Sequence, residues 1–470
     1  MSLWQAIKAY PGAIAWSFLL SSSIIMEGYD IVLIGNLMAQ PAFQKAYGDW
    51  YGDWYGDKLG YQISGPWQAG LGNGTAVGTI IGAFANGWLT ERFGYRRTLV
   101  ASLVAVTGFI FITFFAHDLP MLLAGSILCG LPWGVFATMA PAYASEICPM
   151  ALRGYLANYV CLCWALGQLL AAGVLFSFSD NTTQWAYRLP FAIQWIWPIP
   201  LIIILWFTPE SPYWLAKKNR LDDAKAVLRR ISAKSSKTDE DLDKQLAMIV
   251  HTNKIESEHT KGSSYLDCFK GISLRRTEIV CLVFVAQHNW CCNSFKFATG
   301  ALGLASVGVI ISWFLIYRIG RRALYVWACG ICTVLMLIIG ILASIPQTQA
   351  VSFGQAGVVL IWEIVFYATI GPVCYAIIGE IPAVSVRSKS ICLARIAYYI
   401  SQILNGTYGP YMINPTEGNW KGKVGYFWDR TFEEIDILFA NKAAARKFAD
   451  TKVDAYADDS EGRIIKETGV

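Results

Sequence analysis

Glu91-Arg-Phe-Gly-Tyr-Arg-Arg97 is a short polar link between two long apolar runs, and Tyr317-Arg-Ile-Gly-Arg-Arg322 is a similar link between a later pair of runs. Each link has an Arg two residues before a Gly and ends on two further Arg residues. A preference for basic residues at one face of a membrane does not require an Arg-x-Gly turn. The repeated link therefore predicts two halves of like construction.

A second signature recurs in the same order along the chain. Glu146 precedes Arg153 by seven residues, and Glu380 precedes Arg387 by the same spacing. Gly allows a tight turn between helices, and a carboxylate at one helix end can pair with Arg from a neighbouring link. The hypothesis is that these groups form conformational latches, which close one face of the molecule and break when the other closes. The latch candidates are Glu91, Arg92, Arg96, Arg97, Glu146, Arg153, Glu210, Arg318, Arg321, Arg322, Glu380 and Arg387.

The composition excludes an ordinary soluble globule. Of 470 residues, 55% are hydrophobic and 15% charged, against roughly 45–50% and about 25% in soluble domains. A membrane-spanning helix needs about 20 apolar residues, and helices satisfy their own backbone groups in lipid. The sequence predicts an all-α membrane protein with about eleven spans, near 13–38, 67–90, 98–116, 119–140, 155–178, 188–207, 277–292, 297–317, 323–345, 353–379 and 390–413.

Basic residues are concentrated in the links after the even-numbered runs, which places these links and the N-terminus in the cytoplasm. Segment 208–276 is rich in Lys and Arg and almost without long apolar runs. The predicted division is a six-span bundle at 1–207, a cytoplasmic connector at 208–276, an incomplete bundle of about five spans at 277–428, and a polar tail at 429–470.

Several classes of function lack the residues they need. The net charge of +5 is spread over separate loops, so no basic stripe for nucleic acid is present. A Gly-rich phosphate loop and a Ser/His/Asp arrangement are absent, and we expect neither an enzyme nor a cofactor. Most cysteines lie in apolar runs and are expected to be structural. The four histidines are too scattered for a metal site, at His117, His251, His259 and His288.

Few ionisable residues lie within the apolar runs, and charges at membrane depth are functional candidates by default. Glu27 and Asp30 are three residues apart in the first run and so share a helix face. Glu363 and Arg395 lie in the last two runs. We predict that Asp30 carries a proton, that Glu27 assists, and that Arg395 is the charge partner. The alternative is that Glu27 lies at the membrane interface and Arg395 extends to the surface.

Taken together, the motifs resemble the sugar-porter family of the major facilitator superfamily, and most closely its fungal maltose permeases. The general motifs are Glu91–Arg97, Tyr143-Ala-Ser-Glu-Ile-Cys-Pro149, Ala151-Leu-Arg-Gly154, Pro209-Glu-Ser-Pro-Tyr-Trp-Leu215, Gly379-Glu-Ile-Pro382 and Arg387-Ser-Lys389. Those closer to the maltose permeases are Met26-Glu-Gly-Tyr-Asp-Ile31, Gly130-Leu-Pro-Trp-Gly134 and Leu393-Ala-Arg395.

The resemblance implies two pseudo-symmetric six-helix bundles that import maltose or a related α-glucoside with a proton by alternating access, in the plasma membrane. It supports Asp30 as the proton carrier. The hexose porters, however, pair this carboxylate with an Arg in span four, where this chain has no basic residue. The resemblance also implies sugar contacts at Gln168, Gln287, Tyr375 and Asn405. Gln168 is alternatively a glutamine that bridges helices.

The chain departs from the family pattern at two places. Span seven ends early, near Cys292, and a twelfth span is missing after Trp428. These gaps indicate lost exon segments or an incorrectly assembled gene. The alternative function is therefore a transport-inactive relative that binds sugar or acts as a sensor. We also expect Gly371-Pro372 to break span ten, either as a gate or as a packed kink.

Overall fold

The computed structural model describes residues 3–38, 40–50, 61–178, 181–233, 238–259, 265–269, 271–288, 295–345, 348–382, 386–413, 453–454 and 463–464. Within these ranges the protein is almost entirely helical. The predicted early end of span seven at 289–294 and the predicted loss of span twelve after 428 lie outside the described residues.

The α-helices up to the connector are α1 Leu3–Ala9, α2 Pro11–Ser21, α3 Ile24–Leu37, α4 Pro41–Tyr47, α5 Gly65–Phe93, α6 Tyr95–Phe114, α7 Leu119–Ile147, α8 Met150–Ser177, α9 Trp185–Ile193 and α10 Pro198–Leu205. The remaining α-helices are α11 Pro212–Lys217, α12 Leu221–Ile231, α13 Asp239–His259, α14 Gly271–His288, α15 Phe295–Arg318, α16 Arg321–Ser344, α17 Gln349–Ala368, α18 Ile370–Glu380 and α19 Arg387–Ile413. Two 3₁₀ helices cover Gln194–Ile196 and Tyr265–Phe269. The strands form two antiparallel pairs, β1 Asp49–Trp50 with β2 Tyr61–Gln62 and β3 Val453–Asp454 with β4 Arg463–Ile464.

Each of the eleven predicted spans coincides with one helix or with consecutive helices of the described chain. Seven helical stretches among the described residues are long and apolar enough to cross a membrane, namely Pro11–Leu37, Tyr95–Phe114, Leu119–Ile147, Gly154–Ser177, Trp185–Leu205, Arg321–Leu342 and Gln349–Ile378. The other predicted spans are the helices α5, α14, α15 and α19. α5 is rich in Gly, Asn and Thr, and α19 carries Arg and Lys, so both are less apolar than a helix that faces only lipid.

By the packing of their Cα atoms, residues 1–328 and 363–410 form one compact unit, and residues 329–362 and 411–470 form a second. The first unit contains α1–α15, the start of α16, the last turns of α17, all of α18 and α19 as far as Pro410. Every group of the candidate site described below belongs to this unit. The predicted division at 208–276 stays a prediction.

Glycines allow two pairs of helices in the first unit to pack with their backbones in contact. A Cβ atom at Gly78 of α5 would lie 1.9 Å from the carbonyl oxygen of Ile127 in α7. A Cβ at Gly167 of α8 would lie 2.1 Å from the carbonyl oxygen of Ile25 in α3. Small residues are the usual means of close helix approach in membranes. The α3–α8 contact fixes the helix that carries both Glu27 and Asp30.

Proline explains two breaks in the helices. Pro198 and Pro200 have no N–H to donate to the carbonyls four residues earlier, and the chain forms the 3₁₀ turn Gln194–Ile196 at that point. The expected break at Gly371-Pro372 is confirmed, because α17 ends at Ala368 and α18 begins at Ile370. Its role as a gate stays a prediction.

The ten described cysteines are all free, and eight of them are buried. None forms a disulfide within the described part of the chain.

Candidate functional site

A buried ion pair joins the first span to the last described helix. Arg395 of α19 donates through Nη2 to Glu27 Oε1 of α3 at 2.7 Å, and the two side chains are 2% and 1% exposed. Tyr399 also donates its hydroxyl proton to Glu27 Oε1. Arg395 donates through Nη1 to the hydroxyl oxygen of Tyr375 at 3.1 Å. In the described structure Arg395 therefore pairs with Glu27 and does not extend to the surface, as the alternative interpretation supposed.

Aromatic rings surround the guanidinium of Arg395. Its Cζ lies 4.7 Å from the ring centroid of Tyr398, 5.0 Å from Tyr399, 5.3 Å from Phe284 and 6.0 Å from Tyr375. Rings at these distances stabilise a cation through their quadrupoles. The cage therefore replaces part of the hydration that Arg395 loses on burial.

Asp30 has different partners. Its Oδ2 accepts from the indole Nε1 of Trp133 at 3.1 Å, and its Oδ1 accepts from Nε2 of Gln194 at 2.9 Å. Asp30 is 4% exposed. The predicted charge partner Arg395 forms its ion pair with Glu27 rather than with Asp30. This is the geometric difference from the sequence prediction, and it arises because α19 reaches α3 at the level of Glu27.

Both carboxylates line one small cavity of about 120 Å³ between α3, α5 and α19. This is smaller than the roughly 300–1,000 Å³ of common ligand pockets. Glu27 Oε2 and Gln402 Oε1, which belong to lining residues, have no hydrogen-bond partner among the described residues. Two free acceptors suit a ligand that donates hydrogen bonds, such as water or a hydroxyl group.

The candidate sugar contacts occupy separate positions. Gln168 is buried and accepts from the hydroxyl of Tyr367 at 3.3 Å, which joins α8 to α17 and agrees with the helix-bridging alternative. Tyr375 is buried against Arg395. Asn405 is half-buried in α19, and the side chain of Gln287 lies outside the described part of the chain. Gln168, Tyr375 and Asn405 are not among the residues that line the cavity.

Trp133 and Gln194 were missed as site residues. Trp133 lies in Gly130-Leu-Pro-Trp-Gly134, a motif that was considered only for its resemblance to the maltose permeases. Gln194 is a polar amide in an otherwise apolar run, the same signal that singled out Gln168. A polar amide in an apolar run could therefore have identified Gln194 as a candidate site residue as well.

The first group of latch candidates surrounds the start of α6. Glu146 accepts from the hydroxyl of Tyr95 at 2.7 Å and from the hydroxyl of Ser211. Glu210 accepts from the backbone N–H groups of Tyr95 at 2.9 Å and Arg96 at 3.1 Å, which are free donors at the helix N-terminus. Burial raises the pKa of Glu210, and these two bonds act in the opposite direction.

The second group consists of ion pairs. Glu91 binds Lys217 and Lys389, each at 2.9 Å, and Arg321 binds Glu380 at 2.7 Å. The partners of Glu91 are thus two lysines that were not among the predicted latch residues.

The other latch candidates vary in their surroundings. Arg92 stacks on the rings of Trp88 and Phe93, and Arg96 on that of Trp206. Arg97 acts electrostatically on Glu210, and the buried Arg387 acts on Glu146. Arg318 and Arg322 are exposed, and the side chain of Arg153 lies outside the described residues.

A further part of the connector also reaches this region. Tyr265, in the 3₁₀ helix Tyr265–Phe269, stacks on Phe84 of α5 at 4.7 Å between centroids and donates to its carbonyl oxygen at 2.6 Å. On the other side, Lys389 Nζ of α19 lies 5.9 Å from the ring centroid of Tyr265, and Ser390 donates to Cys268 Sγ at 3.7 Å. The segment is therefore held between α5 and α19.

The helical fold, with its sparse charges enclosed between apolar helices, defines a multi-pass membrane carrier. Residues 16–302 and 293–431 match the family described as sugar (and other) transporter, and the chain belongs to that family.

Two relatives from Saccharomyces cerevisiae are the general alpha-glucoside permease and the maltose permease MAL31, each 36% identical over 97% of this chain and 80% of the relative. The predicted resemblance to fungal maltose permeases is thereby confirmed.

Solved structures agree in fold. The proton:xylose symporter XylE bound to 6-bromo-6-deoxy-D-glucose has a TM-score of 0.73 at 17% identity, over 89% of this chain and 94% of that one. The inward-open xylose transporter XylE from E. coli has a TM-score of 0.67 at 18% identity, over 89% and 93% of the two chains. The chain thus has the major facilitator fold, as predicted.

Proposed function

We propose that this sugar transporter imports maltose or a related α-glucoside together with a proton by alternating access. The observation that carries the proposal is the pair of buried carboxylates, Glu27 and Asp30, on one cavity beside Arg395. The names of the yeast relatives support the substrate class.

The chemistry of the site supports proton coupling. A carboxylate in a dry interior favours its protonated form, and a nearby cation or hydrogen-bond donor favours the ionised form. Asp30 has donors on both oxygens and, among the described residues, no cation bonded to it, so it can take up a proton without breaking an ion pair. Glu27 remains held by Arg395. We therefore assign proton transfer to Asp30 and charge compensation to the pair formed by Glu27 and Arg395.

The sugar contacts remain at Gln168, Gln287, Tyr375 and Asn405 in this proposal. The cavity of about 120 Å³ is smaller than common ligand pockets, so these residues have to be joined to it by rearrangement of the helices. The break between α17 and α18 lies at Thr369, six residues before Tyr375, and is the natural hinge for that movement.

Uptake of labelled maltose by proteoliposomes tests the function. An inward proton gradient should drive accumulation above the external concentration, and dissipation of the gradient should reduce the accumulation ratio to near one. Correctly inserted protein that binds maltose but shows no gradient-dependent uptake would instead support the transport-inactive alternative.

Replacing Asp30 with Asn tests the proton carrier. Asp30→Asn should abolish gradient-driven accumulation and retain exchange of labelled for unlabelled maltose, because exchange does not require proton release. The matched control is Asp118→Asn, at an exposed position before α7. Intact accumulation in Asp30→Asn would show that the carrier is a different residue.

A further inference from the structure

Asp30 is held by two neutral groups that come from different helices. Trp133 belongs to α7, and Gln194 belongs to the 3₁₀ turn between α9 and α10. Each donates to a different oxygen of the carboxylate, and Trp133 and Gln194 are 0% and 2% exposed. Away from bulk water, hydrogen bonds to a charged group are among the strongest that a side chain makes.

We propose that Trp133 and Gln194 are positioning residues that stand in for the missing basic partner of Asp30 and set the pH at which it takes up its proton. This inference rests on the proposed role of Asp30 in proton transfer.

The two donors differ in what they permit when Asp30 is protonated. An indole N–H can only donate, so it cannot accept from a carboxylic O–H. The amide of Gln194 can rotate and present its oxygen as an acceptor. The proton therefore goes to Oδ1, on the side of Gln194, while the bond from Trp133 to Oδ2 is kept. Proton uptake therefore changes the hydrogen bonding of Gln194. This residue belongs to the turn Gln194–Ile196, where the helix is already interrupted.

Other titratable groups near Asp30 are accounted for. Those that act on Asp30 or on the neighbouring ion pair are Glu27 and Tyr29 of α3, Cys129 of α7, Cys161 of α8, and Arg395 and Tyr399 of α19. None of these donates a hydrogen bond to Asp30 in the described structure, since its two bonds are those from Trp133 and Gln194.

The test is an infrared titration of the purified full-length protein. The C=O band of protonated Asp30 is assigned as the carboxylic acid band that Asp30→Asn removes. Its intensity is followed with pH, and the midpoint is the pH at which half of Asp30 is protonated. Trp133→Phe keeps the ring and deletes a donor whose bond is stronger to the ionised carboxylate than to the carbonyl oxygen of the protonated acid, so the midpoint should rise by about one pH unit. Gln194→Met deletes a group that serves both forms, so its upward shift should be smaller.

Matched controls make the same chemical changes elsewhere. Trp214→Phe removes an indole bond to the carbonyl oxygen of Glu91, and Gln40→Met removes an amide bond to that of Phe178. Neither should move the midpoint. The alkaline limit of proton-driven maltose uptake should move upward in Trp133→Phe by the same amount as the infrared midpoint.

An unchanged midpoint in folded Trp133→Phe overturns the proposal, as does a shift in Gln194→Met that exceeds it. If Trp133→Phe does not fold, an unchanged midpoint in Gln194→Met overturns the proposal by itself. The titration needs no transport, so a shifted midpoint without proton-driven uptake would refute the proposed function and leave the hydrogen-bond assignment standing.

Discussion

Arg395 and Glu27 are almost completely buried, and their removal from water is compensated only if both are present. We predict that Arg395→Gln destabilises the protein by about 3–5 kcal/mol, because it leaves the carboxylate of Glu27 without its cation. The double variant Glu27→Gln/Arg395→Gln should be more stable than Arg395→Gln alone. Thermal unfolding in detergent measures the effect.

The control for this pair is Arg321→Gln, which breaks a partly exposed ion pair with Glu380. Its effect should be at most about 1 kcal/mol. Strictly additive effects of Glu27→Gln and Arg395→Gln would contradict the coupling.

For individual residues, the sequence predicts which charged side chains are functional candidates but not which partners they bind. Glu27, Asp30 and Arg395 stand out because ionisable residues are rare in apolar runs. Their pairing depends on how α19 packs on α3, and a distance between helices far apart in the chain is not encoded in any local pattern. Trp133 and Gln194 are neutral, and neutral hydrogen-bonding residues are common in spans. Nothing local separates them from residues that only pack.

The close packing of α5 on α7 requires a glycine, whose side chain is a single hydrogen atom, at the point of contact. Gly78→Ala would place a Cβ 1.9 Å from the carbonyl oxygen of Ile127, and rigid backbone on both sides cannot relax around it. We predict a loss of stability of at least about 1–3 kcal/mol, or a failure to fold. Thermal unfolding and the yield of monodisperse protein measure it.

Gly70→Ala provides the control within the same helix. A Cβ at Gly70 meets nothing within 4 Å, so the change should be neutral or stabilising through higher helix propensity. Equal behaviour of the two variants would mean that α5 and α7 do not pack as described.

The elements themselves were largely predictable. Apolar runs of spanning length predict a helix wherever they occur, and all eleven predicted spans coincide with helices in the described chain. The interruptions were only partly predictable. Gly371-Pro372 gave a clear signal, whereas the break between α2 and α3 at Ser22–Ser23 has no proline to mark it.

For the whole molecule, the link Glu91–Arg97 connects distant parts of the chain through Glu91, which binds Lys217 of the connector and Lys389 of α19. If these contacts close the cytoplasmic side, their loss should favour the inward-facing state. We predict that Glu91→Gln lowers labelling of a cysteine at Gln402, on the cavity wall, by an impermeant maleimide added from outside. The expected decrease is severalfold.

The matched control is Glu240→Gln, which breaks an exposed pair with Lys244 within the connector. It should leave labelling unchanged. Unaltered labelling in Glu91→Gln would refute the latch role of Glu91.

The placement of Tyr265 between Phe84 and Lys389 has a consequence for biosynthesis. α5 leaves the ribosome first, the connector follows, and α19 is made last. Tyr265 can therefore dock on Phe84 before the late helix arrives, and α19 then covers a site that is already filled. A chain interrupted before α19 would leave the side of this tyrosine that faces Lys389 uncovered, although its contact with Phe84 could already be made.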